Sequence, residues 1–458
     1  MNKRRTDEFG WTRRQFIGTA SAGALGTALL PAGALAAEGD RRLNVACIGL
    51  GGQMVTNARQ LAALGHRIVA LCDVEAGRIP SLRGALGAAA QDAAGFKDYR
   101  ELLDKVPTVD AVIVATPDHW HAPIVTAAML AGKHVYCEKP LAHNFAETRA
   151  LRELTRRLDL ATQTGNQGSA SNNVRRNIEL LQAGLIGPVR EVHVWHPEHD
   201  WPSGVDRPAG EDPVPEGLDW NFWLGPAPVR PYKAGVYHPY RWRGWYDFGS
   251  GSIGDFSCHA FNLPVRALQL GMPERIDVRG TALGKESFSA SCTLRYHFPK
   301  RGDRDAVDLY FYSGGDMPPE SVTGPMTETF GGPGRTGCVL VGDLGLLSAG
   351  LWNNEGYVKL NDEPRFNGIF NHEVAQAVPT SFQASPGHMA EWVNACLGGP
   401  AAVSDFDHGG HLTELGVLGA LALQIGHDIE WDEARMAVKG VPEADALIRP
   451  EPRPGWNA

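Results

Sequence analysis

The chain has 458 residues, of which 43% are hydrophobic and 21% charged, with a formal net charge of −9. That length is too great for one ordinary core and predicts two domains, and the composition excludes a disordered chain. The acidic balance, with no long basic run beyond the first residues, excludes a nucleic-acid surface.

Residues 1–36 read as an export leader. Thr12-Arg13-Arg14-Gln15-Phe16-Ile17 matches the twin-arginine pattern, and an apolar stretch rich in Ala and Gly follows. Ala34-Leu35-Ala36 supplies the small residues of a cleavage site after Ala36. A membrane anchor competes for the same stretch, which Pro31 and several glycines interrupt and which is marginally long for a bilayer. No later segment has the length and apolarity of a span. The expected location is therefore periplasmic, or otherwise outside the cytoplasm by the twin-arginine route, with no span in the mature chain. The cysteines, Cys47, Cys72, Cys137, Cys258, Cys292, Cys338 and Cys396, are scattered with no Cys-x-x-Cys pair. That predicts buried free thiols rather than a disulfide framework or zinc site, and it suits folding in a reducing cytoplasm before export.

Residues 43–48 are apolar except for Asn44, as in a strand buried on both faces. A turn over 49–52 follows, then helical spacing over 54–64, a stop at Gly65 and a second strand over 67–71. Strands over 110–115 and 134–137 repeat the pattern around a helix near 122–131, and 160–164 reads as the last strand. Strands alternating with helices of this length predict an α/β fold that begins with a doubly wound parallel sheet. Past Gly187-Pro188 the character changes. Residues 189–195 alternate, 196–250 are rich in Pro, Trp, His and Gly, and strand-like runs follow at 275–280, 287–298, 306–312 and 337–341. Helices return near 388–397 and 411–426. This second part predicts an α+β domain with a largely antiparallel sheet. The expected domains are thus 37–165, a dinucleotide-binding domain of Rossmann type, and 166–458, an α+β domain to which the resemblance given below assigns substrate binding and oligomerisation.

Gly49-Leu50-Gly51-Gly52-Gln53-Met54 stands between strand and helix, where a dinucleotide fingerprint must stand. The first glycine makes the tight turn, and the second lets backbone approach a pyrophosphate at the helix N-terminus. Met54 occupies the place of the third glycine, which implies looser helix packing or a shifted fingerprint. Asp73 closes the second strand, where an acid accepts hydrogen bonds from the adenosine ribose. No Arg adjoins it in Val74-Glu75-Ala76 to receive a 2′-phosphate, so the expected cofactor is NAD rather than NADP. Free dinucleotide is scarce outside the cytoplasm, so an exported enzyme of this kind is expected to leave with NAD bound.

Three further segments carry a resemblance. Ala115-Thr116-Pro117-Asp118-His119-Trp120-His121 follows one strand, and Cys137-Glu138-Lys139-Pro140 ends the next. A glycine-rich run from Gly249 leads to Gly254, Asp255 and His259. With the turn at 49–54, Asn166-Gln167 and the segment 218–226, these resemble the glucose–fructose oxidoreductase/inositol dehydrogenase (Gfo/Idh/MocA) family over essentially the whole mature chain. The resemblance implies that Lys139, Asp255 and His259 are the catalytic set. It further implies a cofactor crevice formed by Gly49 to Met54, Asp73, Thr116, Pro117, His119, His121, Glu138, Lys139, Asn166 and Gln167. It also implies a homo-oligomer joined through the exposed face of the second sheet.

The chemistry is coherent on its own terms. Oxidising a secondary alcohol needs a base for the hydroxyl proton, and an imidazole titrates near operating pH. A lysine ammonium beside the same oxygen stabilises the developing alkoxide. Asp255 and His259, four apart, share a helix face. The structural alternatives are an N-cap for Asp255, a satisfied core position for His259 and a solvated strand end for Lys139. His121 equally suits a helix cap, and Pro140 admits either a cis or a trans bond.

The aromatic stretch has two readings. Trp195, His196, His199, Trp201, His238, Trp242, Trp245 and Tyr246 form either a sugar-binding wall or the anchors of a long loop or interface. Arg241 and Arg243 suit hydroxyls or a carboxylate. His196, His199 and His238 lack tight ligand spacing, so no metal is expected. Three functions compete: an NAD-dependent oxidoreductase acting on a sugar or polyol, a glycoside hydrolase working by transient oxidation and elimination, and a non-catalytic sugar-binding protein.

Overall fold

The computed structural model describes residues 41–456 except 198 and 282. The export leader expected over 1–36 lies outside the described residues. Strands β1 (Asn44–Ile48), β2 (Arg67–Cys72), β3 (Ala94–Phe96), β4 (Ala111–Val114), β5 (His134–Cys137) and β6 (Thr162–Thr164) form one sheet in the order β3-β2-β1-β4-β5-β6. Every pairing in it is parallel. β1 and β4 are central because their Val-, Ala- and Ile-rich runs can be buried on both faces. Strand order reverses between them, and ligands of such sheets bind at the carboxyl ends of strands flanking that reversal. β3 was not expected from the sequence: it is three residues long, Ala-Gly-Phe, and carries no alternation to detect.

Helices α1 (Gly52–Ala63), α2 (His121–Leu130) and α3 (Phe145–Arg157) cover this sheet. Asn144 caps α3 by accepting the Glu147 N–H, and Arg156 and Arg157 occupy its last turn, where cations oppose the helix dipole. After α4 (Asn172–Gln182) the chain enters a ten-stranded sheet of β7 (Val189–His196), β8 (Arg275–Gly280), β9 (Cys292–Phe298), β10 (Val307–Ser313), β11 (Gly337–Gly342), β12 (Gly345–Ser348), β13 (Tyr357–Leu360), β14 (Asn367–Gly368), β15 (Ile429–Asp432) and β16 (Ala437–Val438). One pairing, β7 with β10, is parallel; the others are antiparallel. The fold is therefore the expected one, a Rossmann sheet followed by an α+β domain.

Three further helices, α5 (Gly251–Ala260), α6 (His388–Cys396) and α7 (Phe406–Ile425), lie between the sheets or on them. α7 is apolar on nearly every side and almost wholly buried, as a helix wedged between layers must be. Its Phe406 joins the core of the first domain while Leu412, Leu415 and Leu418 join that of the second. A Cβ at its Gly416 would stand 2.2 Å from the Ser257 hydroxyl on α5, so only glycine permits that approach. Chain order and packing part company at α6. It lies between β14 and β15 of the second sheet in sequence, yet Met389, Trp392, Val393 and Cys396 are buried against Val45, Cys47, Met54 and Leu61 of the first domain. Burial of side chains this size contributes roughly 2 kcal/mol each.

The segment 196–250 is a strap with a small core of its own, built on Trp220, Trp223, Tyr237, Trp242, Trp245 and Phe248. It crosses to the first domain at the ends of β2 and β3. There Asp219 N–H donates to Val74 O (3.0 Å), Ala76 N–H to Gly217 O (2.9 Å), and Lys97 pairs with Asp219 at 2.7 Å. All the cysteines are buried and free. Among the described residues, no helix is long and apolar enough to cross a membrane.

Candidate active site

The site is assembled at the carboxyl ends of β1, β2, β4 and β5. Gly49 ends β1 with φ +78°, and a Cβ there would lie 2.7 Å from the Thr116 backbone nitrogen and methyl. Only glycine lets the turn pass so close to Thr116 and Pro117, which follow β4. Cβ atoms at Gly51 and Gly52 would meet nothing within 4 Å, so the N-terminus of α1 opens onto free space. Leu50 donates its N–H to Asp73 Oδ2 at 2.7 Å, and Glu75 donates to Asp73 Oδ1 at 2.9 Å. These bonds aim the carboxylate along the end of β2 while burial holds its pKa above the usual range. Arg78 is engaged by Glu75 at 2.7 Å. A cavity of about 850 Å³ lies beside Asp73, Phe96 and Lys97 under strap residues Gly217 and Trp220.

Met54 resolves the broken fingerprint: it is fully buried in the cluster completed by Met389 and Trp392. The larger residue is accommodated because α6 adds a layer over α1. Further along α1, Gln53 donates to Asn57 at 3.1 Å and Asn57 to Glu138 at 2.8 Å. Gln167 reaches the same Glu138 oxygen weakly, at 3.5 Å. Glu138 fits only because Gly165 has no Cβ, which would sit 2.2 Å from Oε2. Gln53 of the fingerprint, Asn57 and Glu138 of Glu-Lys-Pro thus form one chain of hydrogen bonds leading to the residue before Lys139.

Lys139 follows β5 across a cis bond to Pro140. Its ammonium donates to Asp255 Oδ1 at 2.9 Å and to the Asp255 carbonyl at 3.1 Å. An ammonium has three donors, so one remains. Asp255 and His259 share one face of α5 as the spacing requires. Asp255 is the fifth residue of that helix and therefore not its cap. Burial pushes the Asp255 carboxyl up, and Lys139 together with Arg243 (3.3 Å) outweighs it, leaving the group ionised far below the usual range. His259 is 3% exposed, and among the described residues its Nδ1 has no hydrogen-bond partner. Burial, then the Lys139 charge, holds its pKa well below the usual value, so the ring is neutral. A buried polar group without a partner is costly and points to a function.

Other expected residues fall differently. Asn166 lies behind β6, its carbonyl oxygen taken by Thr164 (2.8 Å) and Ser404, with Nδ2 buried and unpartnered. Thr116 Oγ1 is likewise buried without a partner. His121 stands between the carbonyls of Thr116 (2.9 Å) and Pro140 (2.7 Å), bracing the loops that carry Thr116 and Lys139. His119, expected along the crevice, is engaged by the strap. Its ring is packed between Trp223 and Phe248, with Nε2 3.0 Å from the Trp223 carbonyl, because the strap's apolar core needs a side chain there.

The aromatic stretch divides. His196, His199 and Trp201 gather around Phe256 beside Asp255. Trp195 packs on the far face of the sheet with Val322 and Met326. Trp242 and Trp245 are strap anchors, Tyr246 packs on Phe288, and His238 sits 3.1 Å from Glu75. Among the described residues no group of three His, Cys, Asp or Glu is placed to hold a metal ion.

Two residues of the site escaped the sequence reading. Asp118 is 3% exposed and accepts a hydrogen bond from Ser250 at 3.0 Å. Burial and the charge of Asp255 push its pKa up to about 7. Trp352 reaches the site from the loop after β12, its ring 4.2 Å from that of His259. Asp118 carries a weak signal, an acid directly after Thr-Pro at a strand end; Trp352 carries none.

Fold and site together define a dinucleotide-binding oxidoreductase of two domains. Residues 43–166 match the oxidoreductase family with an NAD-binding Rossmann fold, and residues 172–282 match that family's C-terminal alpha/beta domain. Together these take in just over half of the chain, which belongs to the Gfo/Idh/MocA family. A myo-inositol 2-dehydrogenase of Thermotoga maritima is 31% identical over 179 residues, 39% of this chain and 48% of that protein. A glycosyl hydrolase family 109 protein of Shewanella sp. (strain ANA-3) is 30% identical over 154 residues, 32% of this chain and 33% of that protein. The matched stretch thus spans half or less of these relatives' lengths. A WlbA dehydrogenase of Bordetella pertussis, solved with NADH and UDP-GlcNAcA, superposes with a TM-score of 0.58 at 16% identity, covering 86% of this chain and 99% of that one. The cofactor is NAD, and the residues present fit it: an open glycine cradle, an acid at the end of β2, and the unpartnered Thr116 hydroxyl beside the turn.

Proposed function

We propose that this protein is an NAD-dependent oxidoreductase that oxidises a secondary alcohol of a sugar or polyol while retaining its cofactor. The observation that carries the reading is the meeting of Lys139, Asp255 and a neutral, unpartnered His259 beside the cofactor cradle. NAD, when bound, supplies the hydride acceptor. His259 accepts the hydroxyl proton, and Lys139 gives its remaining donor to the same oxygen, favouring the alkoxide. Asp255 holds the ammonium in place and charged. Retention is supported by the strap, whose hydrogen bonds at Val74, Ala76 and Lys97 must part before the loop after β2 can swing away from a bound adenosine. Retention also suits export through the leader over residues 1–36. Association through the outer face of the large sheet is supported by the partly covered Tyr310, Val341, Leu346 and Tyr357. The kinship with a glycosyl hydrolase family 109 protein favours a second reading, glycoside cleavage by transient oxidation.

One experiment separates them. Holo-protein is incubated with free sugars and with aryl glycosides, while the near-ultraviolet absorbance of reduced nicotinamide and aglycone release are followed. Accumulating reduced cofactor or keto-sugar supports the oxidoreductase; aglycone without net reduction supports the hydrolase; ligand binding without either outcome overturns both. The mass of the nucleotide freed on denaturation checks retention.

A further inference from the structure

Trp352 is 45% exposed, yet its ring stands 4.2 Å from buried His259 and 6.5 Å from Phe256. Single exposed aromatics are ordinary on protein surfaces. This one is held unusually firmly. Its carbonyl oxygen occupies the place, 2.5 Å away, that a Cβ on Gly168 would need. The next residue, Asn353, is fully buried with φ +57°, and its side chain accepts the Leu263 N–H at 2.9 Å and donates to Gly350 O at 3.2 Å. From α4, Asn173 and Asn177 donate to the carbonyls of Asn354 and Glu355, each at 2.6 Å. A loop so thoroughly tied presents a large apolar ring to water at the mouth of the site. Across the site, Phe256 and Trp201 lie nearly parallel at 6.3 Å.

We propose that Trp352 is the stacking platform of the substrate site and that the substrate is a glycoside rather than a free monosaccharide or polyol. The inference rests on the sugar-oxidising reading above. An aromatic face carries negative charge density and attracts the slightly positive C–H face of a pyranose. The part of the indole nearest His259 meets the ring being oxidised. The exposed part extends beyond that ring and is covered only when a second unit is attached.

The test compares free glucose, galactose and mannose and their methyl glycosides with matching disaccharides, using wild-type holo-protein, Trp352→Ala and Trp352→Phe. Turnover and calorimetric binding are both measured. The wild type is expected to show at least a tenfold lower KM and Kd for a disaccharide than for its methyl glycoside. Trp352→Ala removes that preference, with kcat lowered less than threefold and bound NAD unchanged, and Trp352→Phe keeps part of it. An unchanged preference in Trp352→Ala, or a fall in kcat with KM constant, overturns the platform. Failure of the wild type to bind or turn over any of these sugars overturns the sugar reading itself, and this inference with it.

Discussion

The cofactor half and the substrate half of the site are built on different principles. The cradle is drawn from a short stretch of chain and is mostly backbone, with Gly49, Gly51 and Gly52 at the turn into α1 and one carboxylate, Asp73, at the end of the neighbouring strand. The proposed substrate half is made of side chains from remote segments: Lys139 after β5, Asp255 and His259 on α5, and Trp352 after β12. Backbone recognition depends on shape and survives most side-chain changes that respect it. Side-chain recognition depends on a few charges held at fixed distances in a dry pocket, where each counts heavily.

If this contrast is right, the two halves fail separately. The largest expected effect is on turnover. His259→Ala lowers kcat by about 10²- to 10⁴-fold, the range for loss of a general base, while the mass and amount of NAD released on denaturation stay the same. Retained turnover would remove His259 from its role. Next, Gly49→Ala strikes the cradle alone. The added methyl meets Thr116 at 2.7 Å in a positive-φ conformation, so both strain and overpacking apply. A loss of about 1–3 kcal/mol in stability is expected, with NAD-depleted protein recovered. A Gly49→Ala protein with full NAD content and wild-type Tm would show that the turn has room the contacts deny.

The smallest effect sharpens the electrostatic side. Asp118, with a pKa near 7, is neutral below that pH and ionised above it. Its charge is felt by Asp255, Arg243 and Lys139, so kcat/KM is expected to change severalfold as pH passes through about 7. Asp118→Asn should flatten that limb without shifting NAD content. The stability sign runs the other way. A carboxyl whose folded pKa lies above its unfolded value of 3.8 favours the fold at low pH and loses that contribution as pH rises through 7. The Tm difference, Asn variant minus wild type, is therefore larger at pH 8 than at pH 5.

Much of the cradle could be read from the chain because its signals are local. A strand buried on both faces, a glycine turn, a helix and an acid at the next strand end occur in order within 30 residues or so of sequence. Lys139, Asp255 and His259 were legible through family resemblance, while the four-residue spacing promised only that the last two share a face. The split among the aromatics was not legible. Trp195 alternates with Val194 and His196 along β7, and which face looks at the site depends on what packs there. β3 was missed because three residues cannot show a period, and α6 because an apolar helix face does not state which sheet it will cover.

By itself, the order of residues determined the two-domain plan and the cofactor class, because periodicity and glycine turns act over a few residues, while Lys139, Asp255 and His259 were reached only through the family resemblance. Tertiary structure alone decided that Met54 is tolerated under α6, that His119 serves the strap, and that Asp118 and Trp352 join the site. Those outcomes depend on contacts between segments more than a hundred residues apart, such as Asp118 with Ser250 and His388 with Thr164. Burial and charge at such meetings are properties of the packed molecule, and no short stretch of sequence contains them.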